Sequence, residues 1–327
     1  MPPAVLQELV DRYDPDVFDV GRRTARLRLA GAGGAWDAVL HDGTARLEPA
    51  DRGREADGEL RADRATWEKL ARDLRGGMAA FRAGRLQVRR DLHLGVGFLA
   101  ATSGAGTEGG GLRFRRVDTA VGDLSTMEAG TGDPVLLLHG LGGTKASFLP
   151  TVGALAAHHR VIAVDLPGFG DSAKPVAAAY DAPFFAGAVV ALLDALGLER
   201  AALVGNSMGG RVAIEVGLAH PERAGRLVLL APSLAWLRDR PWAPLLRLVP
   251  PQLGLVQPAP RAIVEGIVRR MVPGGADGWS AAGVDEFLRA YLDPRGRAAF
   301  YAAARNIYLE EPHGDDGFWT RLAGLRA

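Results

Sequence analysis

The sequence predicts an α/β fold, with a mostly parallel, doubly wound sheet and a helical cap, preceded by a small α+β domain. Between residues 113 and 231, apolar strand-like runs alternate with helical segments. A Gly-rich stretch, SGAGTEGGG (Ser103–Gly111), separates this region from a strand-rich N-terminal part. From residue 232 onward a segment rich in proline and aromatic residues ends the alternation. We therefore expect an N-terminal domain (1–103), a linker (104–112), a partial core (113–231) and a cap (232–327) that leads to further core strands.

Composition excludes several classes of protein. The chain has 327 residues, 48% of them hydrophobic, a formal net charge of +1 and no cysteine. Disulfides, thiolate nucleophiles and Cys-ligated metals are thereby excluded, and the near-neutral charge gives no field that would attract nucleic acid. The N-terminal MPPAVLQELVDRYDPD is unlike a signal peptide, and no apolar run is long enough to span a membrane. We expect a cytoplasmic protein that needs no cofactor or metal.

The N-terminal region alternates short strands, turns and helices. The Asp42-Gly43 pair fits a tight hairpin turn between two strands. RADRATWEKLARDLRGG predicts a helix that begins at a capping Asp63 or Thr66 and stops at Gly76-Gly77. The predicted strands are TARLRLAG (Thr24–Gly31), AWDAVLHDG (Ala35–Gly43) and TARLEPA (Thr44–Ala50), and a second helix contains Met78 and Phe81.

This pattern resembles the sterol carrier protein 2-like lipid-binding domain over about residues 20–102. The resemblance rests on the helix around Trp67, the G-R-L-x-V strand (Gly84–Val88) and the D-L segment after it. It implies an apolar tunnel for a fatty acyl or sterol-like ligand. The alternative is a small α+β module with an ordinary filled core. Four arginines could meet acidic lipid head groups, although a solvated surface is the simpler interpretation: Arg82, Arg85, Arg89 and Arg90.

The Gly-rich stretch contains the spacing G-x-G-x-x-G at Gly104, Gly106 and Gly109. A dinucleotide-binding loop with that spacing follows a strand and opens a helix. Here the glycines are followed by two more glycines and the alternating LRFRRV, which is typical of a strand. A flexible linker between two domains is therefore favoured.

Four apolar runs after the linker are typical of parallel strands that are buried on both faces. Helical segments with an apolar stripe lie between them, and LRFRRVDT with LSTMEAG predicts a hairpin in front of them. Ligands bind beyond the carboxyl ends of such strands, where His139-Gly140, Asp165 and Ser207 stand. The predicted strands are PVLLLHG, RVIAVDLPG, AALVGNS and RLVLLAPS, and the helices are SFLPTVGALAAHH, FFAGAVVALLDALGL and GGRVAIEVGLAHPE.

Gly205-Asn206-Ser207-Met208-Gly209 fits the G-x-S-x-G pattern of a nucleophile elbow. A serine on a strained strand-to-helix turn needs small neighbours, because the helix folds back close to the strand. The strand-like AALVG precedes Ser207 and the helix-like GGRVAIEVGLA follows it, as an elbow requires. We therefore predict that Ser207 is a nucleophile.

The turn LLLHGLGGT, after the first of the four strands, supplies the second element of a site. Its His-Gly pair would place a backbone N–H opposite the serine, so the amides of Leu141 and Met208 are predicted to form an oxyanion hole. His139 is interpreted as an organiser of this loop rather than a base. The third element is VDLPGFGDS (Val164–Ser172), a strand end followed by a tight turn.

These three elements, in this order, resemble the α/β-hydrolase fold superfamily over residues 113–327. The resemblance implies Ser207 as the nucleophile, with Leu141 and Met208 as oxyanion donors. Serine at the elbow disfavours the dehalogenase and epoxide hydrolase branches, which place aspartate there. In this superfamily the catalytic acid and then the histidine follow the serine along the chain.

Neither the acid nor the histidine of such a triad is identified in this sequence. We expect that the chain is truncated before both residues and is close to inactive as given, because losing the histidine removes most of the turnover. The apolar strand RLVLLA agrees with this, since without further strands it becomes an exposed sheet edge. The histidines assigned to other places are His41, His93, His139, His158, His159 and His220, and His313 is a weak substitute base.

The sequence supports two classes of function. The first is a serine hydrolase of an ester, thioester or lactone with a hydrophobic acyl part, which acts through an acyl-enzyme on Ser207. Carbon–carbon bond hydrolases and cofactor-free peroxidases share this elbow, so their reactions stay open as alternatives. The second is a non-enzymatic lipid-binding carrier whose hydrolase region is a degenerate scaffold, although the intact elbow speaks against it. Nucleic-acid binding has only scattered arginines in its favour.

Overall fold

The computed structural model divides into two compact units. The first contains Met1–Arg115 and Arg261–Arg289, and the second contains Arg116–Pro260 and Ala290–Ala327. Residues 104–110 of the predicted linker and Gly76 of the predicted helix stop Gly76-Gly77 lie outside the described residues, and the domain boundaries stay predictions. The residues described are 2–31, 33–51, 53–72, 77–103, 111–234, 239, 241, 243–248, 250–271 and 278–326.

The first unit is built on a five-stranded sheet. Its strands are β1 (Ala25–Ala30), β2 (Ala35–His41), β3 (Thr44–Pro49), β4 (Gly58–Ala62) and β5 (Leu86–Arg89), in the order β3-β2-β1-β4-β5. The predicted antiparallel strands β1, β2 and β3 are present. Asp42 and Gly43 both have positive φ, 45° and 73°, as the predicted tight hairpin turn requires. β4, which pairs parallel to β1, was not predicted.

Four helices accompany this sheet: α1 (Ala4–Asp11), α2 (Arg64–Arg72), α3 (Gly77–Arg82) and α4 (Leu92–Ala101). α2 begins where predicted, because the Asp63 carboxylate accepts a hydrogen bond from Thr66 N at 2.6 Å. Trp67 on this helix is fully buried and donates through Nε1 to Ala30 O at 3.1 Å, which ties α2 to β1. α1 and α4 were not predicted.

A six-stranded sheet lies mostly in the second unit. Its strands are β6 (Arg113–Val117), β7 (Leu124–Ala129), β8 (Pro134–Leu138), β9 (Arg160–Val164), β10 (Ala201–Asn206) and β11 (Ala224–Leu230), in the order β11-β10-β8-β9-β7-β6. The strands β8 to β11 run parallel and are the four that the sequence predicts. β7 pairs antiparallel with β9 at the other side of the sheet. The predicted fold class, a mostly parallel sheet after a small α+β unit, is confirmed.

Three helices connect the parallel strands and match the predicted segments: α5 (Leu149–Leu155), α6 (Ala182–Ala195) and α7 (Met208–Ala219). His139, Asp165 and Ser207 each stand one residue after a strand, namely β8, β9 and β10. Because these strands are parallel, their carboxyl ends meet at one edge of the sheet. The sheet therefore brings these three residues to the same edge.

The described residues after β11 form several helices, and their role as a cap stays a prediction. They include α8 (Leu253–Val256), α9 (Arg261–Met271), α10 (Gly278–Leu292), α11 (Pro294–Tyr308) and α12 (Phe318–Leu322). Residues 261–289 belong to the first unit. There the buried Asp285 accepts hydrogen bonds from Arg89 Nε at 2.7 Å and from Arg90 N at 2.8 Å. None of the described helices is long and apolar enough to cross a membrane.

β11 is the terminal strand of the sheet on the side of β10. Two of its apolar side chains are largely exposed, Val228 at 46% and Leu230 at 44%. An unpaired strand edge with exposed apolar residues is a template for pairing with another chain. The predicted exposed edge is therefore present in this structure.

We expect the substitution Val228→Lys to reduce self-association of the protein, because a charged side chain on an edge strand opposes edge-to-edge pairing. The measurement is the mass by light scattering as a function of protein concentration. Val176→Lys is the matched control, since Val176 is 59% exposed but lies outside the sheet. Equal concentration dependence for the two variants would contradict this role of β11.

Candidate active site

The backbone of Ser207 is held in a conformation that side chains rarely adopt. Ser207 has φ 51° and ψ −114° and joins the end of β10 to the start of α7. Such a residue costs roughly 1–3 kcal/mol and persists only where its surroundings hold it. Three backbone hydrogen bonds do so: Ser207 N donates to Leu230 O at 2.9 Å, and Ser207 O accepts from Ser233 N at 2.9 Å and from Arg211 N at 3.2 Å.

The glycines on either side of Ser207 are required by close backbone packing. A Cβ atom at Gly205 would lie 2.3 Å from Gly209 O, and one at Gly209 would lie 2.1 Å from Leu138 O. Both distances are far inside van der Waals contact, and both obstacles are backbone atoms that cannot move aside. The spacing G-x-S-x-G therefore follows from how tightly α7 returns onto β10 and β8.

The loop after β8 lies against the nucleophile turn. A Cβ atom at Gly140 would lie 3.3 Å from Ser207 Cβ, so the backbone of this loop passes directly beside the serine. Leu141 follows in the same loop and is half-buried. Met208 is the first residue of α7, so its amide has no acceptor within the helix. Both predicted oxyanion donors, Leu141 and Met208, thus belong to segments that flank Ser207.

His139 is fully buried, and both of its ring nitrogens are occupied. Its Nε2 accepts a hydrogen bond from Leu166 N at 3.0 Å. The proton of the neutral ring must then sit on Nδ1, which donates to Gly140 O at 2.8 Å. Burial lowers the pKa of His139, which favours this neutral form. His139 links the loops after β8 and β9 and has no nitrogen free to take the proton of Ser207.

A buried ion pair fixes the loop after β9. Asp165 is fully buried and accepts hydrogen bonds from Lys145 N at 2.7 Å and from Lys145 Nζ at 2.5 Å. It also accepts from Asp171 N at 2.9 Å. Burial alone would raise the pKa of Asp165, but the Lys145 ammonium holds it below its ordinary value. Asp165 therefore has a structural role that joins the loops after β8 and β9.

The hydroxyl of Ser207 is hydrogen-bonded to a second serine and lies near a phenol. Ser207 Oγ is 3.1 Å from the Oγ of the buried Ser233, which follows β11. Burial raises the pKa of Tyr308, the last residue of α11, so the phenol keeps its proton at neutral pH. The hydroxyls of Ser233 and Ser207 lie close enough to the phenol to oppose that rise.

The remaining histidines belong to several parts of the described structure. His220 ends α7, about 19 Å from Ser207 along the helix axis. His158 and His159 precede β9, at the opposite end of the strand from Asp165. His313 is exposed between α11 and α12. His41 and His93 belong to the first unit.

Sequence reasoning missed three members of this region: Lys145, Ser233 and Tyr308. Ser233 carried a signal, because it follows the carboxyl end of a parallel strand, where sites form. Lys145 and Tyr308 carried none, since their distance along the chain from Asp165 and Ser207 hides the contact. The predicted site residues Ser207, Leu141 and Met208 do converge on one edge of the sheet.

A separate cavity of about 240 Å³ lies between α8, α11 and the loop before α6. Its lining is mainly apolar and includes Val176, Tyr180, Leu255 and Ala302, and Ser207 is not part of it. Asn306 also lines it, about 200° around α11 from Tyr308. The cavity thus lies on a different face of α11 from Tyr308.

Two family models match parts of this chain. The model of the alpha/beta hydrolase fold family matches residues 133–316, and the model of the SCP-2 sterol transfer family matches residues 5–100. The second match begins earlier along the chain than the resemblance in the sequence indicated.

Two curated relatives illustrate the similarity. A 2-hydroxy-6-oxo-6-phenylhexa-2,4-dienoate hydrolase from Comamonas testosteroni is 40% identical over 136 residues, which cover 39% of this chain and 47% of that protein. A pimeloyl-[acyl-carrier protein] methyl ester esterase from Aeromonas hydrophila is 39% identical over 119 residues, which cover 36% and 45%. The aligned segment thus spans less than half the length of these curated relatives.

Among solved structures, a candidate epoxide hydrolase from Pseudomonas aeruginosa superimposes with a TM-score of 0.50 at 25% sequence identity. The superposition covers 60% of this chain and 70% of that protein. Sequence and structure comparisons therefore agree on the fold of the second unit.

We expect Lys145→Met to destabilise the protein by about 3–5 kcal/mol at pH 7, because it leaves the buried Asp165 carboxylate unpaired. Without the cation, burial raises the pKa of Asp165, so the deficit should shrink as the pH falls and the carboxyl takes up a proton. In the unsubstituted protein the pKa of Asp165 is lowered rather than raised. The stabilisation that comes from this ion pair is therefore lost only as the pH falls through that lowered pKa.

The measurement is the free energy of unfolding in urea at pH 7 and pH 5. Lys69→Met is the matched control, because Lys69 is exposed. A deficit in Lys145→Met that equals the control, or one that grows as the pH falls, would contradict the ion-pair assignment.

Proposed function

Because the chain belongs to the alpha/beta hydrolase fold family, we propose that it is a serine hydrolase that cleaves an ester, thioester or lactone with a hydrophobic acyl part. The observation that carries the proposal is the φ of 51° at Ser207. This strained turn presents the serine beside the loop after β8 and at the start of α7. A structural serine has no need of such a backbone.

In the proposed reaction, Ser207 Oγ attacks the substrate carbonyl carbon, and its proton passes to a base. The N–H groups of Leu141 and Met208 hold the negative charge that forms on the carbonyl oxygen. The intermediate collapses to an acyl-enzyme as the bond to the leaving group breaks and that group takes up a proton. Water then attacks the acyl-enzyme, releases the acid and returns the proton to Ser207.

The base in this scheme is proposed to come from outside the 327 residues. Two observations on the described residues support that proposal. His139 has both ring nitrogens engaged in hydrogen bonds. Tyr308, which lies near Ser207, keeps its proton because burial raises its pKa. Turnover by the 327-residue chain is therefore expected to be about a millionfold below that of a complete triad.

The proposed preference for a hydrophobic substrate is supported by two features. One is the match of the N-terminal residues to the SCP-2 sterol transfer family. The other is the names of the relatives, of which one hydrolyses a phenylhexadienoate and another a methyl ester. The first of those names keeps hydrolysis of a dienoate open as an alternative reaction at Ser207.

A second candidate function is lipid binding by the first unit, independent of any chemistry at Ser207. The SCP-2 sterol transfer match over residues 5–100 favours it. In this alternative the whole chain carries a fatty acyl or sterol-like ligand, and the hydrolase region is a scaffold.

We expect free imidazole to accelerate the labelling of Ser207 by a fluorophosphonate. Attack by Ser207 Oγ on phosphorus expels fluoride, and the imidazole takes the serine proton that the described residues leave without an acceptor. The measurement is the rate of mass increase of the intact protein, with the labelled peptide identified by fragmentation.

Ser207→Ala is the control and should show no adduct at this peptide with or without imidazole. Fast labelling that does not respond to imidazole would show that a base is already present. No adduct on Ser207 at any imidazole concentration would overturn the assignment of the nucleophile.

We expect a fluorescent fatty acid to bind saturably to the chain and equally to the Ser207→Ala variant, because the ligand site is proposed in the first unit. The measurement is a fluorescence titration, repeated after Ser207 has been phosphonylated. Absence of saturable binding would remove the lipid-binding proposal. Binding that is lost on phosphonylation would move the ligand to the hydrolase site.

A further inference from the structure

The cavity between α8, α11 and the loop before α6 has the size of a small organic molecule. Its volume is about 240 Å³. An apolar cavity of about 150 Å³ holds one benzene ring, so this one has room for roughly ten non-hydrogen atoms. The described residues that line it all belong to the second unit, and Ser207, Leu141 and Met208 are not among them. The cavity is therefore separate from the candidate active site.

The lining of the cavity divides into a buried apolar part and an exposed polar part. Tyr180, Ala299 and Ala302 are buried lining residues. Gln252 and Arg295 also line it and are exposed. A small-molecule site usually combines an apolar interior with a few polar groups that fix the orientation of the ligand. A ligand with an apolar chain and one polar end matches this division.

Arg295 determines the charge that the polar end should carry. It is the one charged side chain among the described residues that line the cavity. Asp293, two residues earlier, is already engaged, because it accepts a hydrogen bond from Arg295 N at 3.0 Å and lies 3.9 Å from Lys174 Nζ. A guanidinium presents a planar fork of N–H donors that suits a carboxylate. The charge at the cavity therefore favours an organic acid.

We propose that this cavity binds a monocarboxylic acid with an alkyl chain of medium length, and octanoate has the size that fits. The alkyl chain lies against Tyr180, Ala299 and Ala302, and the carboxylate accepts hydrogen bonds from the Arg295 guanidinium. No bond is made or broken in this site. The proposal does not depend on the role of Ser207, nor on lipid binding by the first unit.

One wall of the cavity is a loop that is held in a strained conformation. Tyr180 has a φ of 52°, in a region that residues other than glycine rarely adopt. Its hydroxyl donates to Pro175 O at 2.9 Å, and its ring packs edge-on against Phe184 with 5.3 Å between the ring centres. The side-chain amide of Asn306, on α11, donates to Ala179 O in the same loop. Such strain persists only where the surrounding contacts impose it, so these contacts keep the loop from closing the cavity.

The other two walls, α8 and α11, are joined to each other. Arg297 Nη2 donates to Gln257 O at 2.9 Å, and the Tyr301 hydroxyl donates to Gln257 Oε1 at 2.6 Å. A Cβ atom at Gly254 would lie 2.5 Å from Ala298 N, so the backbones of the two helices are in close contact there. The walls are thus fixed without a ligand. Binding then loses little free energy to the ordering of the protein, which favours affinity.

The experiment is a titration of the full chain with octanoate, followed by NMR of the alanine methyl groups. We expect the signals of Ala299 and Ala302 to shift saturably, with a dissociation constant of about 1 mM or below, as is usual for a ligand of this size. The methyl signal of Ala188 should not shift, because Ala188 is buried in α6 and does not line the cavity. This readout separates the cavity from any site in the first unit.

Arg295→Gln should weaken octanoate binding about threefold to tenfold, since a hydrogen bond between charged groups is lost at an exposed position. Its affinity for octanol should stay within twofold of that of the unsubstituted chain, because the alcohol carries no charge. Arg305→Gln is the matched control and should change neither affinity. Arg305 lies on the same helix but is not among the residues that line the cavity.

Two further variants reduce the space for the alkyl chain: Ala302→Leu in α11 and Ala178→Leu in the loop. Both should weaken the binding of octanoate and of octanol at least tenfold, because the larger side chain occupies part of the cavity. Circular dichroism and thermal unfolding identify the variants that are folded. Ala178 is only half-buried, so its substitution disturbs the core least.

Three results would overturn this inference. The first is the absence of a saturable shift at Ala299 and Ala302. The second is unchanged octanoate binding by a folded Ala178→Leu or Ala302→Leu variant, which would place the ligand elsewhere. The third is an equal effect of Arg295→Gln and Arg305→Gln on octanoate, which would remove the recognition of the carboxylate by Arg295.

Discussion

The close return of α7 onto β10 and β8 is the constraint on which the rest of the second unit depends. It leaves no room for a side chain at Gly205 or Gly209, and it forces Ser207 into a left-handed backbone. Folding must supply the energy that this turn costs, roughly 1–3 kcal/mol. The hydrogen bonds between Ser207 and the segment around Leu230 and Ser233 show where part of it comes from. β11 and the residues that follow it therefore help to hold the strained backbone of Ser207 in place.

Two buried ion pairs support the loops around this turn. Lys145 and Asp165 join the loops after β8 and β9, while Arg211 and Glu310 join α7 to the segment after α11. Burying a charge is costly unless its partner is close and well oriented. Each pair therefore specifies one arrangement of its loops rather than adding much net stability. This chain has only three lysines, and one of them is placed where an ammonium fits between Asp165 and Asp171.

Much of the second unit could be predicted from the sequence, because local patterns specify it. The four parallel strands are continuous apolar runs, and the elbow is a five-residue pattern whose spacing packing dictates. In the first unit, the hairpin at Asp42-Gly43 and the cap at Asp63 were equally local. The elements that were missed, β4, α1 and α4, have no comparable signal. Tyr308 and Lys145 were missed because their partners lie far along the chain, and only the tertiary fold brings them together.

If Ser207 is the nucleophile, its hydroxyl faces the amides of Leu141 and Met208. A crystal structure of the phosphonylated protein is the test, because the phosphoryl oxygen stands where the oxyanion of the intermediate would be. We expect phosphorus on Ser207 Oγ and the phosphoryl oxygen about 2.7–3.1 Å from both amide nitrogens. A phosphonate on another residue, or a phosphoryl oxygen directed away from both amides, would contradict it.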